Sequence, residues 1–146
     1  MELKTGNLGF GENNNIDIKI RKILLATDGS IPAIEATQYA VALAKIMGAR
    51  IKAIFVDSSG EKEIRPSAAG LAVAQLYAEE NGIICETNIV NGQVAKTIIE
   101  TAHDYGADLI IVGNTGRTGI RRLSMGSVAE AVVKNSQIPV LVLKGS

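Results

Sequence analysis

Residues 106–127 read GADLIIVGNTGRTGIRRLSMGS, and this stretch decides the fold. Its apolar run, Leu109–Val112, lies between Gly106 and Gly113 and has the length and composition of a short β-strand. A strand that is apolar on both faces has to be buried between two layers of helices, as strands of parallel sheets are. An amphipathic pattern begins at Ser127, after the glycine-rich segment. The stretch therefore predicts a strand, a loop and a helix of an α/β fold.

The same alternation extends along the rest of the chain. Four further apolar runs have the length of strands: Lys22–Ala26, Ile51–Val56, Ile83–Val90 and Pro139–Leu143. Helical patterns lie between them over residues 31–47, 66–81, 93–105 and 127–135. Strands that are joined by helical crossovers run parallel. The chain is therefore predicted to form an open, doubly wound sheet of five parallel strands with helices on both faces.

The apolar positions of each helical pattern predict which side faces the sheet. In residues 31–47 the predicted face includes Ala36 and Ala40. Residues 66–81 carry the apolar side chains Val73, Leu76 and Tyr77, and this helix is expected to end at Asn81-Gly82.

Length and composition limit the class of protein. A chain of 146 residues is the usual size of one domain, and we expect a flexible arm over residues 1–20 followed by a single α/β domain over residues 21–146. No apolar run is long enough for a transmembrane helix, and the first twenty residues lack the pattern of a signal peptide. The chain has one cysteine, Cys85, so a reducing, cytoplasmic location is expected.

Charge and aromatic content argue against a nucleic-acid ligand. Lys and Arg total 15, and Asp and Glu also total 15, so the formal net charge is zero. Nucleic-acid-binding proteins usually show a basic excess and aromatic side chains for stacking. This chain has no Trp, three Tyr and two Phe, so neither nucleic acid nor a membrane is an expected partner.

Ligands of doubly wound sheets bind beyond the carboxyl ends of the strands. The loop after the first strand reads ATDGS and contains Asp28. Its carboxylate has the chemistry to bind a ribose hydroxyl, an adenine amine or a metal ion. The alternative is that Asp28 only stabilises the turn before the helix, as Asp often does. The loop alone leaves both interpretations open.

The loop after the fourth strand is more specific. It contains Gly113, Gly116 and Gly126 and ends at Ser127. Glycines allow backbone N–H groups to approach a phosphate closely, and the start of the next helix favours an anion. The segment lacks the lysine of a P-loop and the G-x-G-x-x-G of dinucleotide-binding folds. The residues therefore predict a phosphate-binding loop of another kind.

From Lys22 to Lys144 the chain resembles the universal stress protein family, and specifically its ATP-binding branch. The pattern G-x2-G-x9-G-[ST] is matched by Gly113, Gly116, Gly126 and Ser127. The segments KILLATDGS and GSVAEAVVKNSQIPVLVL also match the family. The resemblance implies the strand order 3-2-1-4-5, in which the loops after the first and fourth strands face one crevice.

The resemblance also implies a site for ATP, with Mg²⁺ held through the nucleotide phosphates and no metal site made by the protein alone. In this site Ala26, Thr27 and Asp28 would line the adenosine side. The side chains of Val56 and Val112 would pack against the adenine. The ribose and phosphates would be held by Gly113, Gly116, Gly126, Ser127 and Val128.

Three functions are compatible with this site. The favoured one is a regulatory stress-response protein whose shape or contacts change with bound ATP. The first alternative is a slow ATPase or a self-phosphorylating enzyme that uses the same residues. The second is an interaction module without nucleotide, which the intact glycine pattern disfavours. The sequence does not distinguish ATP from AMP or cyclic AMP.

In the order 3-2-1-4-5 the last strand, Pro139–Leu143, lies at an edge of the sheet. Its apolar residues have no charge before Lys144 to oppose pairing with another chain. We therefore expect a homodimer through this strand, as the family resemblance also implies. The alternative is a monomer in which the N-terminal arm covers the edge with Leu8 and Phe10.

Overall fold

The computed structural model describes residues 16–60, 68–114 and 125–144. These residues form five strands alternating with four helices. In chain order the elements are β1 (Lys22–Ala26), α1 (Ile31–Met47), β2 (Arg50–Asp57), α2 (Ala69–Glu80), β3 (Cys85–Asn91), α3 (Val94–Tyr105), β4 (Leu109–Gly113), α4 (Ser127–Asn135) and β5 (Val140–Leu143).

The strands form one parallel sheet in the order β3-β2-β1-β4-β5. The central strand β1 pairs with β2 through Ile23 and Ile51 and with β4 through Ile23 and Leu109. The predicted fold class and strand order are therefore confirmed. The last strand begins at Val140 rather than Pro139, whose carbonyl oxygen accepts a hydrogen bond from the N–H of Ile110 at 2.9 Å.

Two layers of helices cover the sheet. Helices α1 and α2 pack against one face, which includes Ile23, Leu25 and Ile111. Helices α3 and α4 pack against the other face, which includes Leu24 and Ile110. Successive residues of β1 and β4 thus point into different cores, which explains why these strands are apolar throughout.

The layer on the α1 and α2 side consists mainly of small residues. The buried residues of α1 include Ala36, Ala40 and Ala44, and those of α2 are Gly70, Leu71, Ala74 and Ala78. Of the apolar residues that mark α2 in the sequence, Leu76 is 51% exposed, whereas Tyr77 packs partly against the core. Small side chains allow a helix to lie close to the sheet.

The ends of α1 and α3 follow from local chemistry. Ser30 is the N-cap of α1, and its Oγ accepts a hydrogen bond from the N–H of Ala33 at 3.3 Å. Both helices end at a glycine in the left-handed region, Gly48 with φ 69° and Gly106 with φ 74°. These signals placed the predicted bounds of α1 correctly.

The arm predicted for residues 1–20 lies mostly outside the described residues, as do Leu8 and Phe10. At the start of β1, the backbone N–H groups of Arg21 and Lys22 donate to Asp108 Oδ2 at 2.8 and 3.1 Å. Within the described part of the chain, every helix is too short or too polar to cross a membrane.

Cys85 lies at the start of β3 and packs against the core on the α1 and α2 side. Burial raises the pKa of its thiol from an ordinary value of 9.0 to about 11. Only the thiolate attacks a disulfide reagent, so at pH 8 native Cys85 should react about 100-fold more slowly than an ordinary thiol. The contribution of the buried, neutral thiol to the free energy of unfolding is fully present below pH 9.0 and is lost as the pH rises to about 11, because the unfolded chain ionises first.

This prediction is tested by following the reaction with a chromogenic aromatic disulfide. The same chain in concentrated guanidinium serves as the reference, and Cys85 is the only cysteine, so the signal has one source. Equal rates in the native and unfolded protein would contradict it.

Candidate functional site

The carboxyl ends of β1 and β4 lie side by side. Leu25 of β1 is in register with Ile111 of β4, so the loop after Ala26 and the loop after Gly113 leave the sheet next to each other. From β1 the chain first adds β2 and β3 on one side, and it then crosses to add β4 and β5 on the other side. The carboxyl ends of β1 and β4 are therefore the switch point of the sheet.

The loop after β1 is a tight turn that fixes the Asp28 carboxylate. Its Oδ1 accepts a hydrogen bond from the N–H of Ser30 at 2.9 Å, and Gly29 adopts a positive φ of 78°. Among the described residues the second oxygen, Oδ2, has no hydrogen-bond partner. The two interpretations of Asp28 are therefore compatible, because one oxygen stabilises the turn and the other is left for a ligand.

Thr27 is directed away from this edge. Its side chain is 4% exposed, and its Oγ1 accepts a hydrogen bond from the N–H of Gly29 at 3.3 Å. Helix α2 lies directly against it, since a Cβ added at Gly70 would overlap Thr27 Oγ1. Thr27 thus supports the turn from the α2 side, and its predicted contact with adenosine would involve the backbone.

Three predicted apolar contacts lie on the opposite face of the sheet. Ala26, Val56 and Val112 belong to adjacent strands, β1, β2 and β4, and all pack in the core under α3 and α4. Val56 is only 8% exposed and Val112 only 3%. Both side chains contribute mainly to the core, and a base at this edge would touch only their outermost atoms.

Gly113 has a packing role that sequence reasoning missed. A Cβ at this position would lie 3.0 Å from the carbonyl carbon of Pro32 and 3.1 Å from the backbone nitrogen of Ala33. A side chain at this position would therefore press on the backbone of the first turn of α1, which would have to move away from β4. Besides its predicted place near the phosphates, Gly113 allows α1 to start beside the switch point.

Helix α4 begins with its first N–H groups uncapped by a side chain. Gly126 is the N-cap, with φ −64° and ψ 155°. Ser127 and Val128 follow as the first helical residues and are exposed. The N–H groups of a first helical turn have no partners within the helix, and the helix dipole adds partial positive charge there. This helix start therefore has the chemistry of an anion site.

Asn114 is a second residue that sequence reasoning missed. Its Oδ1 accepts a hydrogen bond from the N–H of Gly126 at 3.0 Å, although the two residues are 12 positions apart. Its own N–H donates to the carbonyl oxygen of Leu143 at 2.7 Å. Asn is frequent in turns, but that preference does not reveal a contact over such a distance in the chain.

One residue of the predicted site, Gly116, lies outside the described residues. Over residues 16–60, 68–114 and 125–144, no three His, Cys, Asp or Glu side chains are grouped so as to hold a metal ion. The structure thus brings Ala26, Asp28 and the start of α4 to one edge, while the contacts predicted for each residue stay predictions.

Known proteins share this architecture. The universal stress protein MJ0531 of Methanocaldococcus jannaschii is 37% identical over an alignment of 139 residues, and the match covers 85% of this chain and 82% of that protein. The structure of MJ0577 from the same organism superposes with a TM-score of 0.76 at 27% identity, covering 88% of this chain and 99% of that one. The crystal structure of a universal stress protein in complex with cAMP superposes with a TM-score of 0.72 at 28% identity, covering 88% of this chain and 100% of that one.

The universal stress protein family model matches residues 19–144, from just before β1 to just after β5. It therefore spans every described strand and helix, together with both loops at the switch point. On its sequence, its strand order and these relatives, the chain belongs to the universal stress protein family.

Proposed function

We propose that this chain is an ATP-binding regulatory protein. One observation supports the proposal above all: the uncapped start of α4 and the second oxygen of Asp28 lie at the same edge of the sheet. A helix start suits phosphates, and a carboxylate oxygen suits ribose hydroxyls. The structurally similar protein in complex with cAMP supports an adenine nucleotide as the ligand.

In this proposal the phosphates lie against Gly126, Ser127 and Val128. The backbone N–H groups of Ser127 and Val128 and the Ser127 hydroxyl would donate to phosphate oxygens. The Asp28 oxygen Oδ2 would accept a hydrogen bond from the ribose. Mg²⁺ would be bound through the phosphates, whose negative charge it offsets.

The direct test is to identify what the purified protein contains. The protein is denatured, and the released small molecules are analysed by mass spectrometry and then tested by titration calorimetry. We expect an adenine nucleotide, with ATP binding to the emptied protein. A protein that contains no nucleotide and binds none on titration would overturn the proposal. A turnover assay with wild type and Asp28→Ala then separates binding from slow hydrolysis or self-phosphorylation.

We predict that the site prefers ATP over GTP by about tenfold or more, a difference of about 1.4 kcal/mol. The edge formed by Ala26, Val56 and Val112 is apolar. It offers no side-chain partner for the 2-amino and 6-oxo groups of guanine, whose desolvation would go uncompensated. A competition titration measures the ratio, with adenosine and guanosine as phosphate-free controls. Equal affinities for the two bases would contradict the adenine position.

We also propose a homodimer through β5. Val140, Leu141, Val142 and Leu143 are all partly exposed, although each packs against a core on one side of the sheet. Within the described residues, β5 pairs with β4 along one side only. Two such edges related by a two-fold axis would pair antiparallel and cover each other.

The one cysteine of the chain supports a cytoplasmic location.

A further inference from the structure

We infer that Asn114 is a positioning residue of the phosphate site: its side chain holds the end of the glycine-rich loop at the start of α4. The inference rests on the proposed function, because it concerns how the same site is kept ready for phosphate. Asn114 is not among the residues of the glycine pattern, and its role emerges from its hydrogen bonds.

Asn114 joins three elements at the switch point. It directly follows β4, and its N–H donates to the carbonyl oxygen of Leu143 at the end of β5. Its Oδ1 accepts from the N–H of Gly126, the N-cap of α4. The backbone bond fixes the position of Asn114, and the side-chain bond fixes Gly126 relative to it. The end of β4 and the start of α4 are thereby joined by a side chain whose own backbone is held by the sheet.

This bond also selects which N–H groups face a ligand. The N–H of Gly126 is directed to Asn114, while those of the first turn, from Ser127 on, have no side-chain cap. Without the bond, Gly126 and the first turn would be free to rotate, and a ligand would have to order them at an entropic cost. Asn114 therefore prepares the anion site before the phosphate arrives.

The amide of asparagine suits this position better than a carboxylate does. An aspartate would accept the same hydrogen bond, but it would place a negative charge beside the phosphates. The amide oxygen is neutral, and among the described residues Nδ2 of Asn114 has no partner. A residue that accepts from Gly126 and adds no charge is compatible with an anionic ligand beside it.

The test compares Asn114→Ala, Asn114→Asp and wild type by titration with ATP and with adenosine. We expect Asn114→Ala to weaken ATP binding about tenfold, about 1.4 kcal/mol, and to change adenosine binding less than about twofold, because adenosine lacks the phosphates. Asn114→Asp keeps the bond to Gly126 but should weaken ATP binding in a way that high salt partly restores. Asn135→Ala is the matched control, since Asn135 donates to Ala131 at the other end of α4.

Hydrogen exchange at the Gly126 amide in the nucleotide-free protein gives an independent readout. Exchange should be faster in Asn114→Ala and unchanged in Asn114→Asp. The inference is wrong if wild type binds ATP and Asn114→Ala binds it equally well. It is also wrong if Asn114→Ala weakens the binding of adenosine as much as the binding of ATP. If wild type binds no nucleotide, the proposed function fails and the phosphate role fails with it. Unchanged Gly126 exchange in Asn114→Ala would separately disprove the link between the two residues.

Discussion

Gly126→Val is expected to weaken ATP binding by at least about 100-fold, about 2.7 kcal/mol, while the protein still folds. The branched side chain would occupy the space beside the start of α4 and keep phosphate oxygens away from several charge-assisted hydrogen bonds. Gly126 has φ −64° and ψ 155°, a conformation that valine adopts without strain. The loss would therefore reflect the missing space and not a distorted backbone.

The measurement is titration calorimetry, with circular dichroism to confirm that the variant is folded. Gln137→Val is the matched control, because it introduces the same valine side chain at an exposed position just beyond the other end of α4. A folded Gly126→Val protein that binds ATP as wild type does would show that the phosphates lie elsewhere.

Val142→Lys is expected to dissociate the proposed homodimer. A two-fold axis through paired β5 strands would bring both lysines into one interface and remove them from water, which costs several kcal/mol per uncompensated charge. We expect dimerisation to weaken by at least about 100-fold, or about 2.7 kcal/mol. In the separated monomer the lysine lies on an edge strand, where its ammonium group reaches water while its stem stays on the core.

Sedimentation equilibrium over a range of concentrations measures this effect. Ile89→Lys makes the same kind of change on β3, the opposite edge strand, where Ile89 is 52% exposed, and it should leave the dimer intact. A wild-type monomer at micromolar concentration would disprove the dimer. A dimer that persists in Val142→Lys would place the interface on another surface.

The parts of the fold that sequence predicted best are those fixed by local chemistry. The bounds of α1 were predicted because Ser30 caps its start and Gly48 ends it in the left-handed region. The strands were recognisable because β1 and β4 contact a core on each face. The order 3-2-1-4-5 is different, since the order depends on contacts between distant segments and came from the family resemblance.

The packing face of α2 could not be read from the sequence alone. Val73, Leu76 and Tyr77 stand out in the sequence, yet Leu76 is 51% exposed. The buried residues are Gly70, Leu71, Ala74 and Ala78, and three of these four are too small to produce a strong hydrophobic pattern.

Within the candidate site, sequence located the two loops but not the contacts between elements. The role of Asp28 in its turn was foreseen as an alternative, and the structure shows that bond. The approach of α1 to Gly113 and the bond from Gly126 to Asn114 were not foreseen. Both join residues that are far apart in the chain, so no local pattern contains them.

The layer of small residues between α1, α2 and the sheet has a consequence for how this protein tolerates mutation. In most cores the harmful changes are truncations, which leave cavities. At Ala36, Ala40 and Ala74, all at most 1% exposed, little can be truncated, and an added methyl group has nowhere to go. Such overpacking typically costs about 1–3 kcal/mol. At these positions evolution and engineering alike therefore meet an upper limit on side-chain size.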